Sequence, residues 1–325
     1  MENQKENLEE AASILIKDLL CLKKGERLFI YVDQGSDLPV AQSIQNYAEK
    51  IGVQAELYKL NDHLEFPEKL NELTAKIESE HYDAICELSE QYFYPTVAWR
   101  NALQRNVRIY SLAGMDTQSF IRCIGQVNHE SMFHLGTKLN QLLKAAKTIH
   151  IRTAKGTDIR FRMQAQMNRI LRSLLKSMKK ELSYVMAQSG TPVQPGQCTF
   201  LGGQIAFQGI PETIEGTAVV DGYLWPPKEV GQIQNPIILT VKKGYVTDIC
   251  GCPEKSKVLS QWLNGKSRKV KHFCLGFHPN AKLFGGLTEA ERVYGNIAIG
   301  FGDYPFHTDG IMNNPTILVN DKIIE

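Results

Sequence analysis

The sequence predicts an α/β protein, in which an N-terminal doubly wound α/β domain over residues 1–146 is followed by a C-terminal α+β domain over residues 147–325 rich in antiparallel sheet. Three observations predict it. In the first half, short apolar runs alternate with segments of helical periodicity, the rhythm of βαβ units. Beyond that half the rhythm gives way to short runs separated by turn signals. A chain of 325 residues with 43% hydrophobic and 22% charged side chains also has enough apolar surface for two cores.

The elements follow in order. Leu8, Ala12, Leu15, Leu19 and Leu22 recur at helical spacing from Glu6 to Leu22, and Lys24-Gly25 ends that helix. Arg27–Val32 reads as a strand, Leu38–Ile51 as a helix and Val53–Leu60 as a strand. A helix over Pro67–Glu80, a strand at Tyr82–Cys86, a helix over Pro95–Gln104 and a strand at Val107–Leu112 complete a Rossmann-like domain. A helix near Asn128–Ala146 leads into strands at Thr148–Thr153, Thr157–Arg162, Gly203–Gly209, Gly216–Asp221, Pro236–Val241 and Tyr245–Cys250. The stretch from Met163 to Gln188 reads as a basic helix, with Arg169, Arg172, Lys176, Lys179 and Lys180 against Glu181; it suits a solvated face or a lid.

Several function classes are disfavoured. Lys plus Arg number 37 against 35 for Asp plus Glu, a net charge of +2, so phosphate neutralisation is not the expected source of affinity and nucleic acid is not the expected partner. The first strand ends in Asp33-Gln-Gly-Ser36, which lacks the glycine-rich turn that lets a backbone approach a pyrophosphate. No apolar run is long enough to span a membrane and the N-terminus is polar, so a cytoplasmic protein without membrane attachment is expected. The seven cysteines are scattered and read as free thiols, Cys250-Gly-Cys252 included, because a zinc ribbon needs a second pair.

Chemistry concentrates towards the C-terminus, where His272, His278 and His307 fall among Glu289, Glu291, Asp303 and Asp309. On an extended segment His307 and Asp309 project to one face and can chelate one metal. The same spacing occurs at His63–Glu65 and His81–Asp83, so company decides, and only the last pair has it. His272, on a probable strand, completes a 2-His-1-carboxylate set of the kind that suits Fe(II) and leaves positions open for dioxygen and substrate. His278 suits an acid/base role or a turn cap, and Glu291 either steadies a ligand ring or is a solvated carboxylate. Tyr294, Tyr304 and Phe306 can stack on an aromatic substrate or simply pack. His129, His134 and His150 read as structural.

Several segments, in order, carry a resemblance. Lys24-Gly-Glu-Arg-Leu-Phe-Ile, Asn128-His-Glu-Ser-Met, Gly202-Gly-Gln204-Ile, Glu215–Gly222, Leu275-Gly-Phe-His-Pro-Asn, Glu291–Gly300 and His307-Thr-Asp309 together resemble the thermophilic aminopeptidase (aminopeptidase T) family over nearly the whole chain. That resemblance implies an α/β N-terminal domain and a metal-holding C-terminal one. Where the peptidases carry ligands for two metals, this chain has Gln204, His272 and, approximately, Asn296, and keeps His307 and Asp309. The pattern is similar instead to the branch of 2,5-dihydroxypyridine 5,6-dioxygenase, in which a His joins the final His-x-Asp around one non-haem iron. Where that branch has a Trp- and His-containing run, this chain reads Gln197-Cys-Thr-Phe-Leu201.

The expectation is therefore a non-haem Fe(II)-dependent dioxygenase acting with dioxygen on a hydroxylated aromatic or heteroaromatic small molecule. Its metal ligands are His272, His307 and Asp309, its catalytic residues His278 and Glu291, and its substrate contacts Gln204, Tyr294, Tyr304 and Phe306. A homo-oligomer is expected from the resemblance and from exposed strand edges. Two alternatives remain open: an aminopeptidase or other hydrolase using Glu289 or Glu291 with His278, His307 and Asp309 around Zn or Co, and a non-catalytic member that binds a peptide or metabolite in the old pocket.

Overall fold

The computed structural model describes residues 2–94, 96–163, 183–284, 286–304 and 306–324, arranged in two units. Unit 1 comprises residues 1–130, 190–202 and 280–289. Its strands are β1 (Arg27–Val32), β2 (Gln54–Lys59), β3 (Ala84–Glu87), β4 (Arg108–Ser111) and β8 (Cys198–Phe200), joined in the order β2-β1-β3-β4-β8. All four pairings are parallel. The last strand thus comes from the second half of the sequence, from the segment Gln197-Cys-Thr-Phe-Leu201.

Helices α1 (Glu2–Ser13), α2 (Leu38–Lys50), α3 (Phe66–Ser79), α4 (Val97–Gln104) and α5 (Thr117–Phe120) belong to this unit. The long first helix expected to Leu22 is α-helical only to Ser13; Ile14–Leu19 continue as a π-helix before the chain turns. β1 shows why both sheet faces are covered. Its alternate residues Leu28, Ile30 and Val32 enter one core with α2, while Phe29 and Tyr31 enter an aromatic core with Tyr82, Phe93 and Trp99. α2 starts where Asp37 accepts a hydrogen bond from Val40 N, and it buries Val40, Ala41, Ile44, Tyr47 and Ala48 at helical spacing. At the end of β1 the Asp33 carboxylate accepts hydrogen bonds from Gly35, Glu90 and Gln91 amides, at 3.1, 2.9 and 2.9 Å, tying the turn to the loop after β3.

Unit 2 comprises residues 131–189, 203–279 and 290–325 and contains most of α6 (His129–Lys144) together with α7 (Pro253–Trp262). Its strands are β5 (Thr148–Arg152), β6 (Asp158–Arg162), β7 (Tyr184–Gln188), β9 (Gln204–Gln208), β10 (Glu215–Val220), β11 (Tyr223–Trp225), β12 (Gly231–Gln232), β13 (Ile237–Lys242), β14 (Tyr245–Gly251), β15 (Val270–Gly276), β16 (Ile297–Phe301), β17 (Thr308–Met312), β18 (Thr316–Val319) and β19 (Lys322–Ile323). They make two seven-stranded sheets, β14-β13-β10-β6-β5-β18-β19 and β12-β11-β17-β16-β15-β9-β7. Phe161 of β6 stacks on Phe273 of β15 with ring centroids 4.8 Å apart and planes 9° from parallel, and Phe207 of β9 joins them at about 6 Å.

The helix expected to continue to Gln188 is corrected in part, because Tyr184–Gln188 is a strand paired antiparallel with β9. The basic residues from Arg169 to Glu181 lie outside the described residues. No helix among the described residues is long and apolar enough to cross a membrane.

Candidate metal centre

Three neighbouring strands of the second sheet build the site. His272 on β15 lies opposite Gly300 on β16, and Gly300 lies opposite Asp309 on β17. Residues directly opposite in antiparallel strands project to the same face. His272 and Asp309 therefore flank a residue without a side chain, with their backbones two ladder spacings, about 9.6 Å, apart. Across that gap His272 Nε2 reaches Asp309 Oδ1 at 2.8 Å. A Cβ placed on Gly300 would overlap the edge of the His272 ring and lie 2.6 Å from Asp309 Oδ1. The glycine is thus a requirement of space.

His307 stands two residues before Asp309 and so shares its face. Its Nε2 lies 3.1 Å from Asp309 Oδ2 and 3.3 Å from His272 Nε2, and the two imidazoles are perpendicular with centroids 4.9 Å apart. Its Nδ1 bonds the Gly302 carbonyl at 3.1 Å. Gly302 adopts φ +90°, the left-handed conformation that a tight turn from β16 to His307 requires. Gly302 also approaches the Phe306 carbonyl, so a side chain there would be both strained and crowded.

The electrostatics match the geometry. Burial opposes ionisation of Asp309, but the two neighbouring imidazoles outweigh it and hold the carboxyl well below the usual range. Burial likewise opposes a charged His307, yet the charge and hydrogen bond of Asp309, with the Gly302 carbonyl and Glu291, raise its pKa to about 9. Positive charge is favoured where the three donors meet. Two imidazole nitrogens and a carboxylate oxygen all lie within 4.8 Å of one another. That donor set, converging over a position cleared of side chain, fits a divalent transition metal with coordination positions to spare.

A second polar group lies on the same unit. Gln204 Nε2 donates to Glu291 Oε2 at 3.1 Å, Arg292 approaches the same oxygen at 3.6 Å, and Arg292 also donates to Gln188 Oε1 at 2.7 Å. Gln204 Oε1 is buried without a hydrogen-bond partner. Burial, and then the charge of Asp309, push Glu291 up to about 8 against the opposing pull of Arg292 and Gln204.

The other predicted residues take different places. Glu291 steadies no ligand ring; on His307 that work falls to the Gly302 carbonyl. His278 is fully buried, its amide bonded to the Arg292 carbonyl and its side chain packed beneath Gly203. Tyr294 and Tyr304 are exposed, at 62% and 40%. Phe306 packs on Trp262 at 5.0 Å with the Lys266 ammonium 4.4 Å from its ring centre. Asn296 bonds Asn313 and Asn314. Glu289, offered for the hydrolase alternative, is fully buried in unit 1 and gripped by Arg122 through Nε and Nη2 at 2.5–2.9 Å. Asp303 pairs with Lys271.

Sequence reasoning missed Gly300, Arg292 and Trp225. Trp225 on β11 lies directly opposite Asp309 and extends the row of His272, Gly300 and Asp309 by one strand. Only strand register reveals it, since Trp225 is remote in sequence from every ligand.

Comparison with known proteins adds the following. The profile of the NicX family, 2,5-dihydroxypyridine 5,6-dioxygenase, matches residues 19–297, a span that includes His272 and stops short of His307. The solved 2,5-dihydroxypyridine dioxygenase from Pseudomonas putida KT2440 is similar over 99% of this chain and 95% of its own, with a TM-score of 0.73 at 15% identity. Wild-type AmpT from Thermus thermophilus is similar over 98% of this chain and 96% of its own, with a TM-score of 0.61 at 13% identity. Identities this low speak for the fold alone. No curated protein sequence matches at a significant level.

Proposed function

The chain belongs to the NicX family of 2,5-dihydroxypyridine 5,6-dioxygenases, and from that premise we propose that it is an Fe(II)-dependent dioxygenase that opens the ring of a dihydroxylated heteroaromatic, with His272, His307 and Asp309 holding the metal. The observation that carries the reading is the convergence of two imidazole nitrogens and one carboxylate oxygen within 4.8 Å over Gly300. Iron in such a set supplies a common site at which an electron-rich ring and dioxygen exchange electrons.

The chain's own residues do the rest. The Gly302 carbonyl keeps the proton of a neutral His307 on Nδ1, so that Nε2 faces inward with its lone pair. Asp309 contributes one negative charge in a buried setting. Ala298 on β16, two residues from Gly300 on the same face, adds only a methyl beside the ligands. Glu291, whose carboxyl pKa is raised by burial and by the charge of Asp309, is held by Gln204 and Arg292 and is the group we assign to proton transfer in the reaction.

The test is elemental analysis of protein purified without air, followed by dioxygen uptake with 2,5-dihydroxypyridine. About one iron per chain with uptake is expected. Two zinc or cobalt ions with release of amino acids from peptides would overturn the reading in favour of a hydrolase. No held metal and no uptake would overturn it in favour of a binding protein.

A further inference from the structure

The row of residues that crosses the sheet at the metal ligands does not end at Asp309. Trp225 lies opposite Asp309 on β11, and its neighbour Leu224 lies opposite Gly310. A Cβ on Gly310 would meet Leu224 Cδ1 at 3.4 Å and the Val220 methyls, so Leu224 occupies the core face and is fully buried. Successive strand residues point to opposite faces. Trp225 therefore stands on the ligand face, and it is only partly buried there.

The four positions make a profile across the sheet: a tall indole, a short carboxylate, no side chain at all, and an imidazole. Alongside, Cys274 on β15 lies opposite Ala298 and Ala298 lies opposite Ile311, so the next row on this face is buried and carries no second ring. The indole is the one large flat surface in the row. An aromatic ring placed over Gly300 lies two ladder spacings, about 9.6 Å, from the Trp225 backbone, with the short Asp309 side chain between, a gap that so long a side chain can cross. Offset or edge contact between such rings contributes beyond area burial alone. None of Tyr294, Tyr304 and Phe306 offers this, because the first two are exposed and the third is packed on Trp262.

We infer that Trp225 is the wall against which the substrate ring lies, a residue that selects planar aromatic rings for this site. The inference rests on the dioxygenase reading proposed above. The test compares wild-type protein with Trp225→Leu and Trp225→Phe by three readouts: iron per chain, KM against kcat for 2,5-dihydroxypyridine, and anaerobic quenching of tryptophan fluorescence by that compound. In Trp225→Leu, KM is expected to rise about tenfold, the effect falling on KM more than on kcat, with iron content at the wild-type level. Trp225→Phe, which keeps a ring face, recovers most of that loss. The quenching seen in wild type is expected to shrink in both variants, in which Trp99 and Trp262 are the indoles left.

An unchanged KM in Trp225→Leu beside normal wild-type turnover overturns this assignment alone. Loss of iron in that variant also overturns it, because Trp225 would then serve only to support Asp309. A wild-type protein that neither consumes dioxygen nor binds the pyridine overturns the functional reading and this assignment with it.

Discussion

Gly300→Ala separates the metal site from the fold. Gly300 sits in an ordinary strand segment, Ile297–Phe301, and is not among the glycines with positive φ, so its backbone accepts alanine. The added methyl would lie 2.6 Å from Asp309 Oδ1 and overlap the Nε2 edge of the His272 ring. Carbon sits comfortably about 3.5 Å or more from such atoms, so the imidazole must retreat by more than about 1 Å. A coordinating constellation tolerates only about 0.5 Å of misplacement. Both crowded groups are side-chain tips that can swing aside, so overpacking is held to the low end of about 1–3 kcal/mol, and replacing a strand glycine offsets part of it. The expected result is a melting temperature within a few degrees of wild type beside a loss of about 100-fold in metal affinity, or about 2.7 kcal/mol. Anaerobic titration with Fe(II), and with Co(II) as a coloured probe, measures the affinity, and calorimetry measures the melting. A Gly300→Ala protein that binds both ions as tightly as wild type would refute the claim that the ligands meet above this residue.

Other outcomes follow from the same structure. His272→Ala should abolish both bound iron and the rise in melting temperature that added Fe(II) gives to wild type, since a ligand that binds only the native state stabilises it; elemental analysis and calorimetry check this. Glu87 is fully buried, and burial, opposed by Ser111, the Phe93 amide and Tyr31, raises its pKa from 4.5 to about 7. A carboxyl whose native pKa is raised contributes stability that is complete below about pH 4.5 and is lost as pH rises through about 7, here about 3 kcal/mol in all. Glu87→Gln should therefore gain on wild type between pH 5 and pH 8 in urea unfolding; a difference that does not change with pH would be contrary evidence. Arg122→Leu strands the buried Glu289 carboxylate and should cost about 3–5 kcal/mol, a large part of it restored by adding Glu289→Gln; urea midpoints of the three proteins decide.

Much of the fold was legible because its signals are local. The apolar run Arg27–Val32 and the periodic stretch Leu38–Ile51 carry their structure in adjacent residues, and the six strands read between Thr148 and Cys250 lie within one or two residues of their expected limits. The candidate ligand set was legible for the same reason in part: His307 and Asp309 share a face by spacing alone. Their union with His272 rested on its place on a probable strand, and the dioxygenase resemblance agreed with it. What stayed hidden is non-local. Whether an aromatic is exposed, like Tyr294, or packed on another ring, like Phe306, depends on partners such as Trp262 that periodicity does not name. Gly300 and Trp225 acquire meaning only once β16 and β11 are laid beside β17. The end of the stretch read as a basic helix failed because Tyr184–Gln188 is held in place by β9, a tertiary pairing that overrides local helical character.

The aromatic stack of Phe161 and Phe273 bears on all of this from the reverse side of the sheet. Phe273 follows His272 directly, so a slip of β15 by one residue would drive the imidazole into the hydrophobic interior and turn the phenyl ring outward. Phe273, nearly parallel to Phe161 at 4.8 Å, acts as the latch against that slip. The arrangement of the three candidate ligands on one side is therefore a readout of packing on the other, and a cavity carved at Phe161 should surface first as side chains of His272, His307 and Asp309 that no longer hold one arrangement.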